Sequence, residues 1–178
     1  MKNICLRDGR NIIIREAVKE DADRIIDYIN KVSAESDYLT FEQGEFNVSV
    51  DEEEKVIERS RKADNRLFLV AYLDGEIVGS LNFNGGERSR IRHMGEFGVS
   101  VLKEYWHLGI GESLILFLLK WCSDSKVIRK INLKVREDHR VGIKLYEKLG
   151  FKKEGIITRY FCMNDNFYDA ILMGMQID

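Results

Sequence analysis

Two glycines, Gly109 and Gly111, stand at the head of a strongly apolar stretch, ESLILFLLKW, and just after a run of small and β-branched residues from Gly95 to Leu102. Strand, glycine-bearing loop and helix N-terminus, in that order, make an anion site out of backbone. The first turn of a helix carries unpaired N–H groups and a partial positive charge, and glycine lets a ligand approach without a Cβ in the way. Phosphate suits such a loop. A P-loop would need Gly-Lys-Ser/Thr, whereas Gly111 is followed by Glu112 and Ser113. A dinucleotide fingerprint would need a third glycine in an early βαβ unit, and neither is present. A Gly-x-Gly step also opens helices that bind nothing, so the pair alone leaves both readings open.

The second half of the chain narrows them. YWHLGIG, from Tyr105 to Gly111, is followed after the strand-like KINLKVRED by GIKLYEKLGF, from Gly142 to Phe151. The two motifs, in this order and spacing, resemble the GNAT superfamily of acetyl-CoA-dependent N-acetyltransferases. The resemblance runs from NIIIREAVKEDADRI near the start to FYDAILMGMQI at the end. It implies one domain over residues 1–178 with a mixed α/β (α+β) GNAT fold: a central, mostly antiparallel twisted sheet of about six to seven strands flanked by about four helices.

Acetyl transfer from a thioester to an amine makes four demands. The co-substrate must be held, the amine must lose a proton, the carbonyl oxygen must be stabilised and the departing thiolate must be protonated. The resemblance implies acetyl-CoA as co-substrate and no metal. Its pyrophosphate would sit on the N–H groups of His107, Leu108, Gly109, Ile110 and Gly111, with Glu112 and Ser113 completing the helix start. Val99 and Val101 would pair their backbone with the pantetheine arm; as core valines they would pack in the same way. Tyr146 matches the tyrosine that protonates the thiolate in the family, and a phenol is a plausible donor to it. Without the motif, a helix tyrosine is usually core. Glu96 is the candidate base: strand alternation sets it on a face with Gly98 and Ser100, opposite Phe97, Val99 and Val101, and small residues there could admit a substrate. A half-exposed structural glutamate is the competing reading, and His93 or a water-relayed Glu42 or Glu45 are weaker alternatives.

Three positions depart from the family pattern. Trp106 stands where Arg or Gln is frequent, His139 where an Asn commonly contacts the co-substrate, and Gly142 where Ala is usual. Gly142 should weaken its helix by roughly 1 kcal/mol. Both His139 and Gly142 remain candidates for co-substrate binding.

The segment from Glu35 to Glu54 carries many acids and no base. Asp51 to Glu54 would complement the dipole of a helix beginning there. Glu42 and Glu45, set among Tyr38, Phe41 and Phe46, could line an acceptor pocket, because in the GNAT fold this connection borders it. An acidic, aromatic lining (Tyr38, Phe41, Glu42, Glu45) would suit a cationic small-molecule amine. A solvated loop anchored by its aromatics is the alternative.

Composition bounds the rest. The chain has 178 residues, 44% hydrophobic and 33% charged, enough for one ordinary core. A formal net charge of −2 argues against a nucleic-acid partner. Cys5, Cys122 and Cys162 lack any paired spacing and suit a reducing cytoplasm. The start has no apolar leader pattern, and LILFLL is too short to span a bilayer, so no membrane partner is expected. Pairing of C-terminal edge strands, and so a homodimer, is left open.

The elements that must position these residues follow from periodicity and punctuation. A strand is expected at 11–17, a helix at 17–33, a second helix at 51–62, and strands at 67–73 and 77–83 joined by Asp74-Gly75. A turn at Asn84 to Glu87 follows, then the strand into the glycine loop and a helix ending near Ser125. A strand at 130–136, a helix at 140–149 closed by Gly150, and strands at 155–163 and 167–177 complete the order. The two strands beside the co-substrate should be parallel, joined by a right-handed crossover. Two functions fit this reading: an N-acetyltransferase acting on a small amine or on a protein N-terminus, or a GNAT-fold module that binds acyl-CoA without turnover.

Overall fold

The computed structural model describes residues 1–178 and contains one mixed sheet with helices on both faces. The strands are β1 (Lys2–Cys5), β2 (Asn11–Glu16), β3 (Arg66–Leu73), β4 (Glu76–Gly85), β5 (Met94–Val101), β6 (Lys130–Arg136), β7 (Lys152–Met163) and β8 (Asn166–Gln176). The helices are α1 (Ala22–Glu35), α2 (Val50–Lys62), α3 (Ile110–Asp124) and α4 (Arg140–Lys148). The sheet order is β1-β2-β3-β4-β5-β6-β8-β7, and every neighbouring pair is antiparallel except β5–β6.

Eight strands exceed the six to seven expected. The extra one is β1, an edge strand with a single partly buried residue, Ile4, and hence no alternation to read. The first helix also begins later than Ala17: a 3-10 turn at Lys19–Asp21 precedes α1. The turn expected at Asn84 to Glu87 is displaced, because β4 continues through Gly85 and the chain reverses only after it, with the Gly86 N–H bonded to the Met94 carbonyl. The Asp74-Gly75 hairpin forms with both residues at positive φ (50° and 87°), as a type I′ turn requires.

β3 reads as an unbroken apolar run because both of its faces are covered. Leu67, Leu69, Ala71 and Leu73 join the core beneath α3, while Phe68, Val70 and Tyr72 join the core under α1 and α2. α2 starts with a capping box: the Ser49 hydroxyl accepts from the Glu52 N–H at 3.3 Å, and the Glu52 carboxylate accepts from the Ser49 N–H at 2.9 Å. Asp51 to Glu54 thus belong to the helix start.

One buried carboxylate ties the first strands to α1. Asp21 is 4% exposed and accepts from both Arg15 Nη atoms (2.6 and 2.8 Å), from the Val18 N–H (2.8 Å) and from the Tyr72 hydroxyl (2.7 Å). Burial alone would raise its pKa; the Arg15, Val18 and Tyr72 hydrogen bonds together outweigh burial and hold it below the ordinary aspartate value. Its contribution to stability is therefore complete above that ordinary value and is lost as pH falls through the lower folded-state one. Asp21→Ala, which strands Arg15 and the Tyr72 hydroxyl, should lower unfolding stability by about 3 kcal/mol at neutral pH. Denaturant titration checks this, and the deficit relative to wild type should shrink in acid.

Candidate active site

Parallel strands β5 and β6 are paired only through Met94–Lys130, Gly95–Ile131 and Glu96–Asn132. Beyond that point β5 stays with β4 through Val101 and β6 stays with β8 through Arg136, so the two diverge. Even-numbered residues of β5 bond toward β4, as the Met94 carbonyl and the Leu102 N–H do. Alternation therefore turns the backbone of Val99 and Val101 into the gap. Both valine side chains pack on the core below α3. The Val101 carbonyl is already taken by the Trp106 indole N–H at 2.7 Å. Val99 can thus offer both backbone groups to an extended ligand, and Val101 only its N–H. The departure at Trp106 has a structural use, which is to pin the following loop to the end of β5.

That loop is shaped to expose N–H groups. His107 (φ 65°) and Gly109 (φ 93°) are both left-handed, a conformation Gly109 adopts without strain. The carbonyls of His107 and Leu108 are drawn outward by Arg7, through its Nη1 (3.3 Å) and its backbone N–H (3.5 Å). Because a trans peptide sets N–H opposite C=O, the Leu108 and Gly109 N–H groups face the other way. α3 has no side-chain cap, and the N–H groups of Ile110, Gly111 and Glu112 at its start are free. The Ser113 N–H is not available, because it bonds to the Gly109 carbonyl at 3.0 Å. Leu108 packs on the core and contributes only backbone. The Glu112 carboxylate is held by Lys148 (2.5 Å) and Arg7 (3.6 Å), which offsets its charge beside an anion site. Arg7, on the β1–β2 connection, carried no signal in the sequence.

The gap and the loop open into one cavity of about 1040 Å³. Tyr146 reaches it from α4 with its ring edge-on to Phe97 and Phe151, at 6.1 Å from each. Burial pushes its phenol up to about 12, so it remains protonated at physiological pH. Glu96 reaches the same cavity from the opposite face of β5, and its carboxylate pairs with Lys134 Nζ at 2.5 Å. His93 does not line the cavity.

His139 sits at the N-cap of α4 without making a side-chain cap, and its ring stacks on Tyr38 (centroids 3.9 Å apart, 14° between planes). Burial, reinforced by Arg136 and opposed by Asp138, lowers its pKa and keeps the imidazole neutral. Gly142 is explained by the same contact. A Cβ there would lie 2.7 Å from the His139 ring, so glycine is the residue that lets the ring lie over the helix.

Segment 36–49 roofs the cavity with Tyr38, Leu39, Phe41 and Phe46, but not with its acids. Glu42 and Glu45 are exposed and point away; the Glu45 carboxylate closes its own loop by accepting from the Glu42 N–H at 2.8 Å. Their expected place in an acidic lining is corrected, since an acid that caps a local turn reads in sequence like one that faces a ligand. What ties the roof down is Arg136, 6% exposed, between Tyr38 and Tyr168 (4.5 Å to each ring). It donates to both Asp138 oxygens and, at 2.8 Å, to the Asp37 carbonyl.

A model of the GNAT acetyltransferase family matches residues 32–151. The chain belongs to that family. L-amino acid N-acetyltransferase AaaT of Escherichia coli is 32% identical over 106 residues, spanning 60% of this chain and 65% of that protein. An N-alpha-acetyltransferase of Sulfurisphaera tokodaii is 28% identical across 96% of both chains. A GNAT-family acetyltransferase of Streptococcus pneumoniae superposes with a TM-score of 0.91 at 31% identity, covering 94% of this chain and 99% of that one. The chain is an N-acetyltransferase dependent on acetyl-CoA. No helix of this GNAT domain is long and apolar enough to cross a membrane, and no group of His, Cys, Asp and Glu is arranged to hold a metal.

Gly142→Ala should raise helix propensity by roughly 1 kcal/mol, yet bring little or no net gain in unfolding stability, because the added Cβ displaces the His139 ring from Tyr38. Denaturant titration checks this, and in a His139→Ala background the same change should show its full gain, a non-additive pair.

Proposed function

We propose that this N-acetyltransferase moves the acetyl group to a small-molecule primary amine by direct attack within a ternary complex, with Glu96 as base and Tyr146 as acid. The observation that carries the reading is the gap between β5 and β6, into which Tyr146 reaches from one face of the sheet and Glu96 from the other, above an uncapped helix start.

The free N–H groups from Leu108 to Glu112 hold the pyrophosphate, with Arg7 balancing charge at the mouth. The Val99 backbone and the Val101 N–H pair with the pantetheine arm, and the neutral His139 flanks it with Gly142. Acetyl-CoA supplies the thioester. The Glu96 carboxylate takes a proton from the acceptor ammonium, and the freed amine attacks the thioester carbon. The C–S bond breaks, and the Tyr146 phenol donates its proton to sulfur. Of the two protons the nitrogen sheds, one returns to the phenolate and the other leaves to water through Glu96, so the transfer balances. The roof of Tyr38, Phe41 and Phe46 excludes water from the thioester and favours an acceptor with apolar surface. The names of the two relatives support an α-amine: one is an L-amino acid N-acetyltransferase, the other an N-alpha-acetyltransferase.

Tyr146→Phe should lower turnover about tenfold or more with acetyl-CoA affinity intact; unchanged turnover removes Tyr146 from the mechanism. Because the phenol stays protonated up to about 12, the wild-type rate should show no alkaline loss that disappears in Tyr146→Phe. Gly109→Glu, which brings a side chain and a negative charge to a left-handed position at the phosphate loop, should abolish acetyl-CoA binding by isothermal titration.

A further inference from the structure

The acceptor half of the cavity holds one carboxylate and one ammonium group that have only each other as ion partners, Glu96 and Lys134. The other charged residues of the cavity are accounted for elsewhere. Arg136 and Asp138 satisfy one another, Arg7 and Glu112 lie at the glycine loop, and Arg140 opens α4 on the other side of the gap. Glu96 and Lys134 come from different strands across the start of the gap. Pairing ends at Glu96–Asn132, and Lys134 lies two residues beyond Asn132 on the same face. Lys134 is steadied by the Tyr160 ring at 5.6 Å and is about a quarter exposed. Asn84, directly opposite Glu96 in the β4–β5 register, also lines this half. The other walls combine apolar side chains (Ile29, Leu39, Phe41, Phe46, Phe68 and Phe161) with the uncharged polar groups of Ser80, Asn82 and Ser100.

This lining is electrically neutral but split into two poles. An acceptor bearing only a cation would engage Glu96 and leave the Lys134 ammonium without a partner in a partly desolvated place, which is costly. An acceptor with an ammonium and a carboxylate on adjacent atoms satisfies both poles at once. We infer that the acceptor is a free α-amino acid with an apolar or aromatic side chain, its ammonium group on Glu96 and its carboxylate on Lys134. This rests on the transferase reading above and names its substrate class. The resting ion pair then has a use. Lys134 neutralises Glu96 until an amino acid arrives; the incoming carboxylate takes over Lys134 and leaves Glu96 free to accept the proton. A protein N-terminus has an amide where the amino acid has its carboxylate, so Lys134 separates the two kinds of α-amine.

The test is steady-state thiol release with L-phenylalanine and L-leucine, against their carboxamides, phenethylamine, spermidine and a Phe-initiated tripeptide. The free acids should exceed their carboxamides in kcat/KM by about tenfold or more, the scale of one charge-assisted hydrogen bond. Lys134→Met should erase most of that preference, mainly through KM for the acids, and Lys134→Arg should restore part of it. Acetyl-CoA titration of Lys134→Met should match wild type, which separates a recognition defect from a folding one. Equal or better use of the carboxamide, the tripeptide or spermidine overturns the amino-acid assignment and leaves the transferase reading standing. A preference unmoved by Lys134→Met overturns the role of Lys134. No thiol release above the amine-free rate with any of these amines, despite acetyl-CoA binding, overturns the proposed mechanism together with this assignment.

Discussion

The site depends on a parallel strand pair that stops pairing. β5 and β6 share register over three residues and then follow their outer neighbours apart. A closed sheet would satisfy the backbone of Val99 and Val101 internally and leave nothing for a ligand. An open one leaves strand-ready hydrogen-bonding groups facing a cavity, an arrangement that stays unsatisfied until an extended chain occupies it. The same divergence lets groups from both faces of the sheet, Tyr146 on one and Glu96 on the other, address a common space.

Holding that gap open requires that the surrounding parts not drift. Trp106 clips the glycine loop to the end of β5, and Arg7 draws two loop carbonyls outward from a distant connection. Arg136 performs the corresponding task on the acceptor side, fixing segment 36–49 through one carbonyl and one aromatic face while Asp138 satisfies the rest of its guanidinium. Tyr38 belongs to both sets of contacts, since it covers Arg136 and stacks on His139 at the start of α4. The roof of the cavity and the start of α4 are thus in direct contact. The unusual His139 and Gly142 are one feature: the ring needs the space that glycine leaves.

The polarity of the cavity follows from where charges are already spent. Asp51 to Glu54 complement a helix dipole, Glu45 closes a local turn and Glu112 is shared by Lys148 and Arg7. What remains facing the acceptor is a single ion pair among aromatic, aliphatic and uncharged polar walls.

Much of the architecture was legible in the sequence. Alternation and turn residues placed the β3–β4 hairpin, β6 and the ends of α2, α3 and α4 closely, because local hydrogen-bonding geometry dictates those signals. The glycine loop and the helix that carries Tyr146 were legible for the same reason: backbone shape and helix position are written in nearby residues. The acceptor side was legible only in part. Tyr38, Phe41 and Glu96 line the cavity as expected, but Glu42 and Glu45 looked like a lining and are solvent-facing, whereas Lys134 and Arg136, and Arg7 at the glycine loop, gave no sign. Which acid meets which base is decided by contacts between residues far apart in the chain, such as Glu96 with Lys134 and Asp37 with Arg136. Short-range periodicity carries no information about such pairings, so only the tertiary structure could decide the charge that an acceptor meets.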